Sequence, residues 1–293
     1  MSDGTIRPIS DPPKSLLDRV GVALPIALTA LATAFAGMST GELQQAMLWR
    51  SSAAQDQAKA TSQWTLAGFK RDRALICQAA AAQLSAAGGS GNPFLAVPVP
   101  GTEPGPAGWL AGHGPPPAKL PDLDDETLAK LLADLRARVP EAKLTAHARR
   151  VSAEAVTAAI DAAEQSVEQT DLDWGPTLKA AAKLVADEAG TPRGVAAQAA
   201  GFEMDRRRYL AEAGLNQGVS LLYEARLKVS SAQSERHQRK SKHFFYAMLA
   251  AQVGATVAAL ALARKKQSLL WGVAGGTGLV ALLIGAYVYL ADV

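Results

Sequence analysis

The side chains most able to do chemistry in this sequence are one cysteine, Cys77, and four histidines. The histidines are His113, His147, His237 and His243. No two of them have the i, i+4 spacing with which a single helix holds zinc, and one cysteine cannot form an intrachain disulfide or a multi-cysteine metal site. Cys77 and His147 are the best residues an enzyme would have here, and no motif surrounds either. We therefore expect no catalytic residue, no cofactor and no metal.

One glycine pattern imitates a nucleotide-binding motif. The run from Gly276 to Ala281 fits the dinucleotide-binding spacing, but that motif needs a preceding strand and a βαβ unit. Here it lies within a long uncharged segment. Gly272 and Gly276 form a small-xxx-small pair, which allows close approach of two helices, so the pattern favours helix packing.

Composition indicates a helical protein. The 293 residues are rich in alanine, and only 5% are aromatic. Alanine has the highest helix propensity of all residues. The net charge of +3 comes from interleaved acidic and basic residues, which argues against a nucleic-acid partner. We expect an all-α fold.

Three uncharged segments have the length of membrane-spanning helices. They cover residues 20–41, 244–263 and 267–291, which are 22, 20 and 25 residues long. A bilayer core of about 30 Å needs roughly 20 apolar residues in a helix. Arg264, Lys265 and Lys266 separate the last two segments, and tyrosines and tryptophans lie near the segment ends, as in interfacial belts. The chain is therefore predicted to be an integral membrane protein with three transmembrane helices.

The first segment has a second interpretation. Its Ala34-Phe35-Ala36 sequence, followed by Gly37, resembles the small-residue cleavage site of a signal peptide. Cleavage there would leave two membrane spans. The tail at residues 1–19 argues against it, because the tail is long, contains three prolines and balances its basic residues with aspartates.

Charge placement predicts sidedness. The tail and the loop at 264–266 carry six basic residues together, which places both in the cytoplasm under the positive-inside rule. The central region then lies outside, although basic residues before the second span oppose this orientation. We expect a multi-pass protein of a bacterial inner (cell) membrane, with the lipid bilayer as its first partner.

The spans contain no ionisable side chain within their apolar runs, which argues against a pump or a proton-coupled carrier. Their polar residues are threonines and Gln252, which suit hydrogen bonds between helices. An oligomeric channel or transporter component is the alternative that this pattern leaves open.

The segment at 42–87 reads as one long helix, since it has no proline and a single glycine. Alanine recurs in it at every seventh position, a spacing that presents a narrow stripe to another helix and suggests a coiled-coil-like region. We call this stripe the alanine seam. It comprises Ala46, Ala53, Ala60, Ala67, Ala74 and Ala81.

Between this helix and the second span, residues 88–121 form a Gly/Pro-rich flexible insert and residues 122–190 a helical insert. Helix caps are expected at Asp124 or Asp125, and breaks at Pro140, Pro176 and Gly190 to Gly194. A long returning helix is expected at 195–242.

The two long helices are predicted to pair as an antiparallel stalk. Matching charges suggests the register, with Glu42 opposite Lys242, Asp56 opposite Lys228, Lys59 near Glu224 and Arg71 near Glu212.

Short stretches near the spans carry a family resemblance. They are Ala60 to Trp64, then Phe69-Lys70-Arg71, and Phe244 through Gln252 to Arg264-Lys265-Lys266 and Trp271. The pattern resembles a bacterial membrane-protein family catalogued as domain of unknown function 4337. It covers about the first 80 and last 60 residues and implies the three-span layout, with no activity or catalytic residue to transfer. The insert at about 88–190 departs from the family pattern.

The function expected from these features is that of a membrane-anchored structural or accessory protein. It would act through helix-mediated association with itself or with a protein of a membrane complex, and we expect no enzyme activity.

Overall fold

The computed structural model describes residues 16–87, 125–190, 192–263 and 268–290, and these residues are almost entirely helical. The helices are α1 (Leu16–Ala87), α2 (Glu126–Arg136), α3 (Glu141–Ala148), α4 (Ala153–Asp187), α5 (Pro192–Ala263) and α6 (Ser268–Leu290). No strand occurs within those four ranges. Three helices, α1, α5 and α6, contain a segment long and apolar enough to cross a membrane.

The two longest helices run through the boundaries predicted at the ends of the spans. Helix α1 joins segments 20–41 and 42–87, and α5 joins segments 195–242 and 244–263. Pro25 lies inside α1, and the Thr29 hydroxyl donates a hydrogen bond to the Pro25 carbonyl oxygen at 2.8 Å. Pro192 opens α5, a position where the missing N–H costs no helical hydrogen bond.

Local signals set the ends of α2. Asp125 caps its start by accepting hydrogen bonds from the backbone N–H groups of Thr127 and Leu128. The Thr127 side chain and these backbone bonds hold the pKa of Asp125 below its ordinary value. At the other end Arg138 has a left-handed φ of 51°. Its N–H bonds the Leu135 carbonyl, and the Val139 N–H bonds that of Asp134, which together form a Schellman-type stop.

The predicted break at Pro176 is wrong, because α4 continues through this proline. A proline inside a helix leaves the carbonyl four residues earlier without a donor. That residue, Leu172, is 63% exposed, so water can reach its carbonyl. The preceding Gly175 has no side chain to clash with the proline ring. A break that the sequence did not predict falls between α3 and α4, where the Ser152 hydroxyl accepts a bond from the Ala155 N–H.

The chain divides into two compact units. The first unit contains Met1–Arg50 and Gln233–Val293, and the second contains Ser51–Ala232. In the second unit, leucines of α2 pack with Val156 and Ile160 of α4 and with Val219 and Val229 of α5. In the first unit, Phe35 of α1 packs with Phe244 and Ala251 of α5 and with Ala281 of α6.

Helices α1 and α5 pair antiparallel within each unit, but the predicted register is wrong. In the second unit Asp56 binds Arg226 rather than Lys228. In the first, Glu42 bonds His237 rather than Lys242. The observed partners on α5 lie two and five residues before the predicted ones, which is slightly more than one helical turn at most.

Several predicted segments fall on residues outside the described ranges. They are positions 1–15 of the tail, the whole Gly/Pro-rich insert at 88–121, His113, and the loop residues Arg264, Lys265 and Lys266.

Candidate functional site

Five of the six alanines of the seam are buried, and Ala81 is half-buried. In the second unit Ala53, Ala60, Ala67 and Ala74 are between 1% and 6% exposed. Ser220 of α5 lies against the seam and donates a hydrogen bond to the Ala60 carbonyl at 2.9 Å. In the first unit Ala46 is 4% exposed, and Ser234 donates to its carbonyl in the same way. Alanine on one helix facing serine on the other lets the two backbones approach closely.

A group of polar side chains lies beside the seam in the second unit. The Arg226 guanidinium donates two bonds to one oxygen of the buried Asp56 carboxylate, at 2.9 and 2.6 Å. It also stacks on the Tyr223 ring, 4.9 Å from the centroid. The Tyr223 hydroxyl donates to Glu164 of α4 at 2.7 Å. Burial, followed by this bond to Glu164, raises the pKa of Tyr223 to about 12. These contacts connect three helices.

Further along the same pair of helices, Glu212 is buried between two basic groups. Lys70 contacts it at 2.9 Å and Arg208 at 3.4 Å. The neighbouring Arg206 donates two bonds to Glu203 on its own helix. The arginines at 206–208 are thus engaged with carboxylates of α5, which leaves little basic surface for an outside phosphate.

Cys77 and His147, the two residues considered above for catalysis, form no hydrogen bond with each other. Burial, and then the nearby Asp205, raise the pKa of the Cys77 thiol above its ordinary value. That thiol is a poor nucleophile at neutral pH. His147 contacts Asp134 through Nδ1. Among the described residues, Cys77 has no hydrogen bond to a histidine that could act as its base. No group of metal-ligating side chains occurs among those residues either.

The other side of α1 in the second unit carries large apolar side chains that the described residues leave uncovered, interspersed with polar ones such as Asp72 and Arg73. Leu66, Phe69 and Ile76 are 41%, 62% and 68% exposed. Their spacing of three and seven residues places them on one side of the helix, roughly opposite Ala67 and Ala74. We call these three residues the outer face. Sequence reasoning missed the outer face, although Phe69 had been noted for the family resemblance.

Residues noted for the family resemblance take several roles. The Trp64 indole donates to Glu224 at 2.6 Å, and Lys70 binds Glu212. Trp271 packs beside Leu28 of α1 and Ala258 of α5. Gln252 is exposed on α5, within the second apolar segment.

Three other glycines, rather than Gly272 and Gly276, lie at the close contacts within the first unit. A Cβ atom on Gly254 would lie 2.5 Å from the Thr277 hydroxyl, and one on Gly278 would lie 2.7 Å from Leu28. Gly285 meets Phe35 in the same way. Gly272 and Gly276 have nothing within 4 Å of that position among the described residues.

Comparison with known proteins gives no relative. No family model, curated protein or solved structure matches this chain. The resemblance to domain of unknown function 4337 therefore stays a prediction.

Proposed function

We propose that this protein is a membrane-anchored structural or accessory protein that works by association of its helices with further copies or with another protein. The observation that carries the proposal is the outer face of α1. It lies at least 25 residues, or about 37 Å of helix, beyond the first apolar segment, so lipid tails do not cover it. Fully burying one such large apolar side chain is favourable by about 1.5–3 kcal/mol.

Exposed polar groups in the spans support the proposal. The hydroxyls of Thr29, Thr33 and Thr256 donate to carbonyls one turn earlier in their own helices. Gln252 has no such bond among the described residues. A primary amide in hydrocarbon gains from a partner on another helix, so Gln252 favours association within the membrane.

The same residue supports the alternative function. In an oligomer, Gln252 could line a water-filled path, and the protein would then be a channel or transporter component. The internally bonded threonine hydroxyls offer little for such a path, so we place association first.

The proposal includes the kind of membrane and the orientation of the chain in it. The expected site is a bacterial cell membrane, with the tail and the loop at 264–266 in the cytoplasm. The seven-residue alanine spacing supports a coiled-coil-like pairing of α1 and α5. A phosphatase fused after Val293 is expected to be active outside the cytoplasm, and a cytoplasmic location of the fused domain would reverse the orientation.

The decisive experiment replaces Phe69 and Ile76 of the outer face with glutamate in the full-length protein. We expect the wild-type chain to sediment as an oligomer or a complex in mild detergent, and the double variant to sediment as a smaller species. Leu172→Glu is the matched control, because Leu172 is 63% exposed on a different helix. A monomeric wild-type protein that recovers no partner from native membranes contradicts the proposal.

A further inference from the structure

A pocket of about 250 Å³ opens within the first unit, where α1, α5 and α6 meet. Its floor is apolar and comes from Met38, Phe244 and Val288. Phe244 is held in place by stacking on Phe35, with ring centroids 6.2 Å apart. Tyr289 forms part of the wall and contacts the Phe244 ring edge-on. Phe244 and Val288 are buried, whereas Met38 is 39% exposed.

The pocket lies at the ends of all three apolar segments. Gly41 is the last residue of the first segment, Phe244 is the first of the second, and Tyr289 is near the end of the third. In a chain that spans a bilayer, this level is the boundary between lipid tails and water.

The rim carries one charge of each sign. One carboxylate oxygen of Glu42 is hydrogen-bonded to His237 Nδ1 at 2.6 Å. The other oxygen can accept a further hydrogen bond. The Lys240 ammonium has no hydrogen bond or ion pair with any residue in the described ranges, and it lines the same pocket. An acceptor and a cation thus stand together over an apolar floor.

We propose that this pocket binds one phospholipid with a phosphoethanolamine headgroup. The phosphate binds the Lys240 ammonium, the primary ammonium of the lipid donates to Glu42, and the start of one acyl chain lies on Met38 and Val288. The volume equals roughly eight water molecules at about 30 Å³ each, which is room for both headgroup charges.

Charge complementarity sets the preference among lipids. A phosphocholine group has a quaternary ammonium, which cannot donate a hydrogen bond to Glu42. The hydroxyls of a phosphoglycerol group can donate to Glu42, but this headgroup has no cation to offset the carboxylate and keeps a net negative charge. Among these three, only the phosphoethanolamine headgroup offers Glu42 a cation that also donates a hydrogen bond.

The test uses full-length protein in detergent with equal amounts of the three phospholipids, all with the same acyl chains. Native mass spectrometry is expected to show one retained phosphatidylethanolamine, favoured over the other two lipids by about fivefold, the change expected for one partly exposed charge-assisted bond. Lys240→Gln and Glu42→Gln should each remove this preference.

Two controls test whether the lipid preference comes from the pocket rather than from general surface charge or from the pair of Glu42 and His237. Lys242→Gln removes the same charge from an exposed residue two positions away, and it should leave the preference intact. His237→Gln removes the other partner of Glu42 and should also leave it. Equal retention of the three lipids, or a preference that survives both pocket variants with native helix content, overturns the inference.

This inference rests on the proposed membrane location but not on association. A protein that alkaline carbonate extracts from membranes overturns both proposals. A monomeric protein that still prefers phosphatidylethanolamine overturns association alone.

Discussion

Tyr223 joins three helices through a single side chain. Its ring stacks with Arg226 of its own helix and lies 5.3 Å from the Lys59 ammonium of α1, and its hydroxyl bonds Glu164 of α4. Burial is the main cause of its raised pKa, and the bond to Glu164 adds to it. The folded protein therefore keeps this phenol neutral well above the pH at which a free tyrosine ionises.

Tyr223→Phe tests the hydrogen bond to Glu164. We expect the free energy of unfolding to fall by about 1 kcal/mol at pH 7. This is less than the usual contribution of a hydrogen bond to a charged group, because Glu164 is exposed. The stabilisation by Tyr223 is complete below about pH 10, where the unfolded chain ionises. It decreases as the pH rises toward about 12, the pKa in the folded state. Thermal unfolding in detergent from pH 7 to 11 should show the two proteins converging above pH 10.

Tyr209→Phe is the control for that measurement. Tyr209 stacks with Arg208 and Arg73, but its hydroxyl bonds no described residue. It should unfold like the wild type at every pH. A constant difference between wild type and Tyr223→Phe across the pH range would show that folding does not raise the pKa of Tyr223.

Residue pairing shows where charge matching from sequence failed. Lys228 was expected to bind Asp56, but it binds Glu141 of α3 at 2.7 Å, while Asp56 takes Arg226. Both registers place opposite charges together, so matching the signs of charges along the sequence does not choose between them. In the observed register Ser220 and Ser234 donate to carbonyls of the seam. Their importance is not visible before the helices are paired.

Among the elements, the end of α2 stores local backbone strain. Arg138 occupies the left-handed position of the helix stop, where residues other than glycine are disfavoured by roughly 1–2 kcal/mol. Arg138→Gly should therefore stabilise the α2–α3 pair by about 0.5–1 kcal/mol, after subtracting the greater entropy of glycine in the unfolded chain. Slower hydrogen exchange of α2 amides in the full-length protein would report it.

Arg138→Ala separates the backbone effect from the charge. It removes the guanidinium but keeps the left-handed cost, so we expect no stabilisation. Equal exchange rates for the glycine and alanine variants would mean that the φ of Arg138 is not limiting.

Boundaries of elements were predictable where a side chain supplies a cap. Asp125 has its carboxylate three residues before a buried leucine, and the expected cap was confirmed. The break predicted at Pro176 is wrong, because the tolerance of an internal proline depends on the exposure of Leu172, which is a tertiary property. The short break before Ser152 was missed, because serine caps a helix only where the preceding chain turns.

At the scale of the whole molecule, the three apolar helices were predictable because long uncharged runs are rare outside membranes. The uncovered surfaces were not predictable from the sequence. Phe69 is 62% exposed, whereas Ala67, two residues away, is 1% exposed. The alanine spacing alone does not indicate which partner covers the other side of the helix.

Gln252→Leu distinguishes association within the bilayer from association outside it. We expect weaker self-association in liposomes, by about fivefold in Kd, since one interhelical hydrogen bond in a membrane contributes about 1 kcal/mol. Energy transfer between labelled copies at increasing lipid dilution is the measurement. Thr256→Val is the control, because that hydroxyl is bonded within its own helix.

The same liposomes address the alternative function. Ion flux through wild-type protein that disappears in Gln252→Leu would favour the channel component. Energy transfer that is unchanged by Gln252→Leu would place association in the outer face alone.

Cys77 has one practical consequence for all of these measurements. It is buried, and its raised pKa leaves little thiolate at neutral pH. Maleimide and nitroxide reagents react through the thiolate, so cysteines introduced at exposed positions should be labelled in the native sequence background. Distances between spectroscopic probes can then be measured without first engineering a cysteine-free protein.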